Sequence, residues 1–382
     1  MAVYLDCAAT APLDPRVRDE VLRYLGEEFG NAGSRTHEWG QRARQAVERA
    51  RDRIATVVGA ARSEVIFTSG ATESNNLAIL GLAGDDTARR HIVSTAIEHH
   101  AVLEPLEELR RRGFEITLVS PDTSGAVSAG AILEAVTPDT LLVSVMHVNN
   151  ETGVIQPIAE IAHRLRGSDV FFHVDAAQSF AREFETLRDS RIDLISASAH
   201  KINGPMGVGA LIARRRGGER PPLRPVMFGG GQELGLRPGT MPVGLVAGFG
   251  LAAQLAVTEG ASRATKCLAF RDALICGLAP LSPMINGDIA RAVPYIINLS
   301  LPGIDAEVAM DAWRDLVAIS NGAACTSQSY TCSHVLSAMR IPVPRSDGAL
   351  RFSWSADTPR PDWNALVAAI EGQQVSPPAA GQ

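Results

Sequence analysis

Between residues 64 and 213 the chain alternates short β-branched, apolar runs with stretches whose apolar residues recur at helical spacing. This alternation limits the fold more than any other feature. The runs 64–68, 91–95, 115–120, 140–148, 170–175, 193–197 and 208–213 predict seven strands, and the stretches 72–82, 100–112 and 158–165 predict helices between them. Strand–helix alternation of this kind reads as a mainly parallel sheet covered on both faces, an α/β domain. After a helical stretch at 243–259 the pattern changes to a long helix at 261–278, strands near 295–300 and 349–353, and a closing helix at 361–373. That change predicts a second, smaller α+β domain. The chain's 382 residues also exceed the roughly 250–300 at which one core stops growing. The expected division is a large domain over 15–255, a small domain formed by 1–14 with 256–373, and a disordered tail at 374–382, where Pro, Ala and polar residues gather.

A net charge of −6 argues against binding nucleic acid through overall charge, and a 46% hydrophobic content excludes a disordered chain. Asp6 and Arg16 stand where an export signal needs a basic start followed by an apolar stretch, so a cytoplasmic location is expected. The longest uncharged stretch, 238–258, carries two prolines and four glycines, and reads as a buried helix rather than a membrane span. Cys7, Cys267, Cys276, Cys325 and Cys332 lack metal-ligand spacing and signal neither a zinc site nor a disulfide framework. The run Arg214-Arg215-Arg216 reads as a solvated loop, with contact to an acidic acceptor protein as the other use of it.

Of the 36 basic residues only Lys201 and Lys266 are lysine. Arginine supplies bare positive charge, but only lysine supplies an amine that loses its proton and condenses with a carbonyl. Both lysines therefore draw attention, as does the alternative that each is an ordinary surface residue. Context separates them, since Lys266 falls mid-helix whereas Lys201 follows a predicted strand.

Open α/β sheets bind ligands at the carboxyl ends of their strands. Polar residues cluster there: Ser69 to Ser74 after the first strand, Glu98, His99 and His100 after the second, Asn149 and Asn150 after the fourth, Asp175 and Gln178 after the fifth, and Ser198, His200 and Lys201 after the sixth. The first cluster, with Ala71 and Thr72, opens a helix whose N–H groups suit a phosphate, although plain helix capping uses the same residues. A lysine for a Schiff base, a carboxylate for a pyridinium nitrogen, an imidazole to stack on a ring and a helix N-terminus for a phosphate together describe a pyridoxal phosphate site.

The segments Tyr4 to Thr10, Thr68 to Asn75, Met146 to Gly153, His173 to Gln178 and Ser198 to Lys201 resemble those of the cysteine desulfurases, which are fold-type I pyridoxal phosphate enzymes. The resemblance continues through Gly229 to Glu233, Arg237 to Thr240, Gly322 to Ser327 and Leu350 to Ser353, so it covers nearly the whole chain in order. The stretch Gly30 to His37 is most similar to the desulfurases that feed DNA phosphorothioation.

The resemblance implies that Lys201 carries the cofactor, Asp175 pairs with its ring nitrogen, Gln178 lies near the ring hydroxyl and His99 stacks on the ring. Ala71, Thr72, Ser198 and His200 would hold the phosphate. Thr240 would reach the phosphate of a neighbouring subunit, which makes the active unit a homodimer. Asn31, Asn150 and Arg351 match positions that hold the carboxylate of L-cysteine, with Asn150 also beside the cofactor. Cys325 matches the nucleophile that takes sulfur and passes it to an acceptor protein of iron–sulfur, thiolation or DNA-phosphorothioation machinery. Cys332 is the rival thiol outside that motif, and Cys7 reads as packing. Two departures stand out: Ser355-Ala356 replaces a frequent Gly-Arg pair, and Ala11 stands where Thr is frequent.

A selenocysteine lyase or an aminotransferase is the alternative within the enzyme class, and the Cys325 segment is what favours desulfuration. An NAD-binding protein is disfavoured because no strand precedes a G-x-G-x-x-G turn, while a non-catalytic scaffold of the same fold would fail a test for bound cofactor.

Overall fold

The structure, a computed structural model, describes residues 2–84, 87–321 and 333–374. Cys325, Cys332 and the predicted tail from residue 375 onward lie outside the described residues. The strands run in chain order as β1 (Val3–Tyr4), β2 (Val65–Thr68), β3 (His91–Thr95), β4 (Glu115–Val119), β5 (Thr140–Met146) and β6 (Phe171–Asp175). They continue with β7 (Leu194–Ser198), β8 (Gly209–Ala213), β9 (Met284–Ile285), β10 (Ile296–Ser300), β11 (Val317–Ala318) and β12 (Ala349–Ser353).

The seven strands expected between 64 and 213 form one sheet in the order β2-β8-β7-β6-β5-β3-β4. It is parallel except for β8, which runs antiparallel to both β2 and β7. Because β8 reverses twice, β2 points the same way as β7, and its carboxyl end joins the edge where β3, β5, β6 and β7 also end. Strand order changes direction between β3 and β5, the switch point at which a doubly wound sheet leaves a crevice. Gly209 lets β8 close this edge, because a Cβ there would meet Ala197 O at 2.5 Å and the Gly70 Cα at 2.6 Å.

One face of the sheet carries Val93, Val143, Phe172, Val174 and Ile195 in a core shared with helices Glu38–Val58 and Val243–Thr258. The other carries Ile92, Leu142, Leu194 and Leu211 against helices Ala71–Ala83 and His100–Arg111. Helix Val243–Thr258 is the uncharged stretch of the sequence, and ten of its residues are buried, which explains why it lacks a polar face. Gly250 lets it lie directly on Ala50, whose Cα would be 2.6 Å from an added Cβ. No single helix among the described residues is long and apolar enough to cross a membrane.

A separate cluster gathers Trp313, Phe352, Trp354 and Phe270 around an antiparallel sheet in the order β12-β10-β9, backed by helices Gly260–Leu278 and Trp363–Gln374. The chain's first residues join this cluster: β1 pairs with β11, and Asp6 bridges to Ser353.

In the run Arg214 to Arg216 only the exposed Arg215 fits the expectation of a solvated loop. Arg214 is buried and donates to the carbonyls of Val58, Leu187, Asp189 and Ile192, while Arg216 pairs with Asp193 at 2.6 Å. A guanidinium has five N–H donors, so one side chain satisfies the ends of several elements that converge there. Charge alone in a sequence does not distinguish that use from solvation.

Candidate active site

The carboxyl ends of β2, β3, β5, β6 and β7 surround a cavity of about 570 Å³. Lys201 stands on the short turn Ala199–Ile202 directly after β7, and its Nζ donates to the carbonyls of Ala8 (2.5 Å) and Ala9 (2.7 Å). The turn bearing those carbonyls is stitched to the small sheet, where the Ala8 N–H donates to Ser353 Oγ at 2.7 Å. Lys266 instead lies on an exposed helix face and pairs with Asp357 at 3.3 Å. The structure thus puts Lys201 on the wall of the cavity and Lys266 outside it.

Asp175 ends β6, in register with Met146 on β5 and Ser196 on β7. Its Oδ1 accepts the Ala177 N–H at 2.9 Å and its Oδ2 accepts the Asn75 amide at 2.8 Å. Gln178 lines the same wall and donates to the Ala8 carbonyl at 2.9 Å. The helix Ala71–Ala83 begins at Gly70, which offers no side-chain cap, so the Ala71 and Thr72 end of the helix meets the cavity uncapped. Ser198 and His200 face that end. Burial pushes His200 down to about 4, with Lys201 adding to the shift, so its imidazole is neutral at pH 7.

His99 caps helix His100–Arg111, its Nδ1 accepting the Ala101 N–H at 3.0 Å. In the neutral ring this leaves the proton on Nε2, where it can be donated. Burial holds His99 below the usual histidine range and the nearby charge of Lys201 pushes the same way, while Asp175 opposes both. Arg351, on β12, is 4% exposed, pairs with Asp6 at 2.7 Å and donates to the Asn150 carbonyl at 3.1 Å. Both Asn150 and Arg351 line the cavity.

Asn31, expected at this cavity, is not brought to it, and Thr240, expected at the phosphate of a neighbouring subunit, lies outside it as well. Asn31 is exposed and folds back on its own loop, accepting the Gly33 N–H at 2.8 Å. Thr240 is exposed on a segment tied down by Arg237, which pairs with Glu73 at 3.0 Å. Asn75 and Glu151 were not singled out from the sequence, and Glu98 was placed after a strand without a role. Asn75 is fully buried, lines the cavity and stands one helical turn beyond Ala71; that i, i+4 spacing was the available signal. Its Oδ1 lacks a partner among the described residues, which costs on the order of 1–3 kcal/mol. Glu98, beneath His99, accepts from Thr95 Oγ1 (2.7 Å) and the Met146 N–H (2.9 Å), and burial pushes it up to about 8. Glu151 accepts Ser333 Oγ at 2.5 Å, and burial pushes it up to about 7.

Comparison with known proteins decides what this arrangement is. Residues 3–359 match the family described as aminotransferase class-V. A cysteine desulfurase IscS of Anaeromyxobacter sp. (strain Fw109-5) is 45% identical over 92% of this chain and 87% of its own length. The chain belongs to the cysteine desulfurase family. The crystal structure of DndA from Streptomyces lividans is 52% identical to this desulfurase, covering 92% of this chain and 99% of that one at a TM-score of 0.81. A solved NifS-like protein is 33% identical over 98% of this chain and all of its own, at a TM-score of 0.90. These likenesses span both the seven-stranded sheet and the smaller sheet of the desulfurase, as a fold-type I enzyme requires.

Enzymes of this family depend on pyridoxal phosphate, and the cavity fits it. The uncapped helix end offers N–H donors to a phosphate, and the buried His200 Nδ1 and Asn75 Oδ1 reach the cavity wall without hydrogen-bond partners of their own. A carboxylate and a lysine amine stand at the end of neighbouring strands.

Proposed function

We propose that this desulfurase holds pyridoxal phosphate covalently on Lys201 and moves sulfur from L-cysteine to Cys325. The observation that carries the reading is the meeting of Lys201, Asp175, His99 and an uncapped helix N-terminus around one cavity, each delivered by a different strand end. In this reading Asp175 pairs with the ring nitrogen, Gln178 lies by the ring hydroxyl, and Ala71, Thr72, Ser198 and His200 hold the phosphate. When bound, the cofactor supplies an electron sink that lets the α-proton of an amino acid leave.

The remaining steps belong to the chain. Arg351 and Asn150 hold the substrate carboxylate, the guanidinium already fixed by Asp6 and the Asn150 carbonyl. The Lys201 amine, released when the substrate's own amine takes its place, moves the α-proton. His99 donates or accepts a proton at Nε2. The Cys325 thiolate attacks the substrate sulfur; the S–S bond forms, the Cβ–S bond breaks, and its electron pair stays on carbon, which is protonated to the methyl group of alanine. Only a thiol can take sulfur in this way and release it later to an acceptor.

Two further parts of the proposal concern assembly and destination. A homodimer places Thr240 at the partner's phosphate, and the exposure of Phe228 (88%), Met206 (70%) and Phe29 (62%) supports a large buried contact. The 52% identity to DndA and the Gly30 to His37 segment favour DNA-phosphorothioation machinery as the sulfur acceptor. The large and small domains at 15–255 and at 1–14 with 256–373 remain the proposed division.

Borohydride reduction of the purified holoenzyme followed by peptide mapping tests the central claim. A pyridoxyl group on Lys201 is expected, and one on Lys266 would overturn it.

A further inference from the structure

We infer that Asn75 is a positioning residue for Asp175, fixing the plane of its carboxylate and thereby setting how tightly and in what protonation state the enzyme holds pyridoxal phosphate. The inference rests on the cofactor reading above. Asp175 is restrained from two sides: the Ala177 N–H takes one oxygen at 2.9 Å and the Asn75 amide takes the other at 2.8 Å. The first restraint is backbone at the end of the same strand and tolerates any side chain. The second comes from a different element, helix Ala71–Ala83, whose N-terminal end also lines the cavity.

Rotating the Asp175 carboxylate about its Cβ–Cγ bond breaks both bonds at once, so the pair locks a torsion that is otherwise broad. The Asn75 side chain is itself committed to this bond. It is fully buried, and its Oδ1 has no partner among the described residues. Flipping the amide would aim that oxygen at a carboxylate oxygen and lose the one bond it makes, so the orientation follows from Asp175. Asp at position 75 would place a second carboxylate against Asp175, and a hydrocarbon of the same volume would fill the space without donating.

The test uses Asn75→Leu, close to Asn in volume but without a donor, together with Asn75→Ala and the wild-type enzyme. Each apo-protein is titrated with pyridoxal phosphate to obtain its Kd, and the absorbance of each holo-protein is followed against pH. With hydrogen bonding as the cause, both variants bind the cofactor about 10- to 100-fold more weakly and the pH midpoint of the absorbance change moves, with Leu no better than Ala. If Asn75→Leu restores the wild-type Kd and pH midpoint, the residue merely fills space and the inference is overturned. If Asn75→Leu fails to fold, Asn75→Ala decides: wild-type Kd and midpoint overturn the inference, and weakened binding with a moved midpoint supports it. Failure of the wild-type apo-protein to bind pyridoxal phosphate would instead sink the cofactor reading, and the inference with it.

Discussion

Replacing Glu98 with Gln should flatten the alkaline loss of stability. Burial pushes the Glu98 carboxyl up to about 8, whereas an exposed glutamate titrates near 4.5, so the folded enzyme keeps a proton that the unfolded chain gives up. Stability from this group is complete below about 4.5 and is lost as pH rises through about 8. The whole difference is about 3.5 units, or about 5 kcal/mol at about 1.4 kcal/mol per unit.

Only part of that range is free of competing groups. His147 and His200, pushed down to about 4 by burial, cost stability as pH falls below about 6.5, so the comparison belongs between pH 6.5 and pH 9. Across that window Glu98 accounts for about 2 kcal/mol. Glu151, pushed up to about 7, loses stability in the same direction but is unchanged by the substitution. Gln keeps the acceptor for Thr95 and the Met146 N–H and carries no titrating proton. The assay is denaturant unfolding of wild-type and Glu98→Gln holoenzymes at both pH values. Wild type should lose about 2 kcal/mol more than the variant on going to pH 9. Equal losses would show that Glu98 is already ionised in the fold, and the burial argument would be wrong.

Cys325→Ser should retain the cofactor while alanine formation from L-cysteine falls by orders of magnitude, whereas Cys332→Ser turns over normally; mass spectrometry finding the persulfide on a peptide with Cys332 would reverse the assignment. Arg214→Ala should destabilise the enzyme by about 2–4 kcal/mol in denaturant unfolding, because three buried carbonyls and the partly buried one of Asp189 lose their donor, and Arg214→Lys should recover little of it because three donors on a flexible stem do not span them. Thr240→Ala should weaken cofactor retention in a dimer that stays intact by sedimentation, and a fully active monomer would remove the partner's role.

The sheet was readable because each of its strands is a short apolar run bounded by helix-period sequence, and all seven predicted runs became strands within a few residues of their expected ends. The pair β1–β11 was not readable, since strands of two residues carry no periodicity. Lys201, Asp175 and His99 stood out because they follow strands, the positions where a parallel sheet opens. Glu98 also follows a strand, but its burial, like that of Glu151, was not legible, because nothing in a sequence distinguishes a buried carboxyl from a solvated one until its neighbours are known. Asn75 was hidden for a related reason: its partner Asp175 lies 100 positions away. Asn31 matched a family motif but lies outside the cavity, because a motif match does not say how a loop folds, and Thr240, expected at a neighbouring subunit's phosphate, lies outside it too.

The turn that contacts Lys201 also sets an order of events during synthesis. The N–H of Ala8 is held by Ser353, which emerges 345 positions later. The seven strands are complete in sequence once Ala213 has emerged, and helix Val243–Thr258, which covers one face of their sheet, also precedes β12. The carbonyls that meet the Lys201 amine reach their place only after β12 exists to receive them. A nascent chain therefore carries Lys201 on its sheet before the turn that meets its amine is in place, and a ligand arriving at that stage would meet an open pocket rather than the one described above.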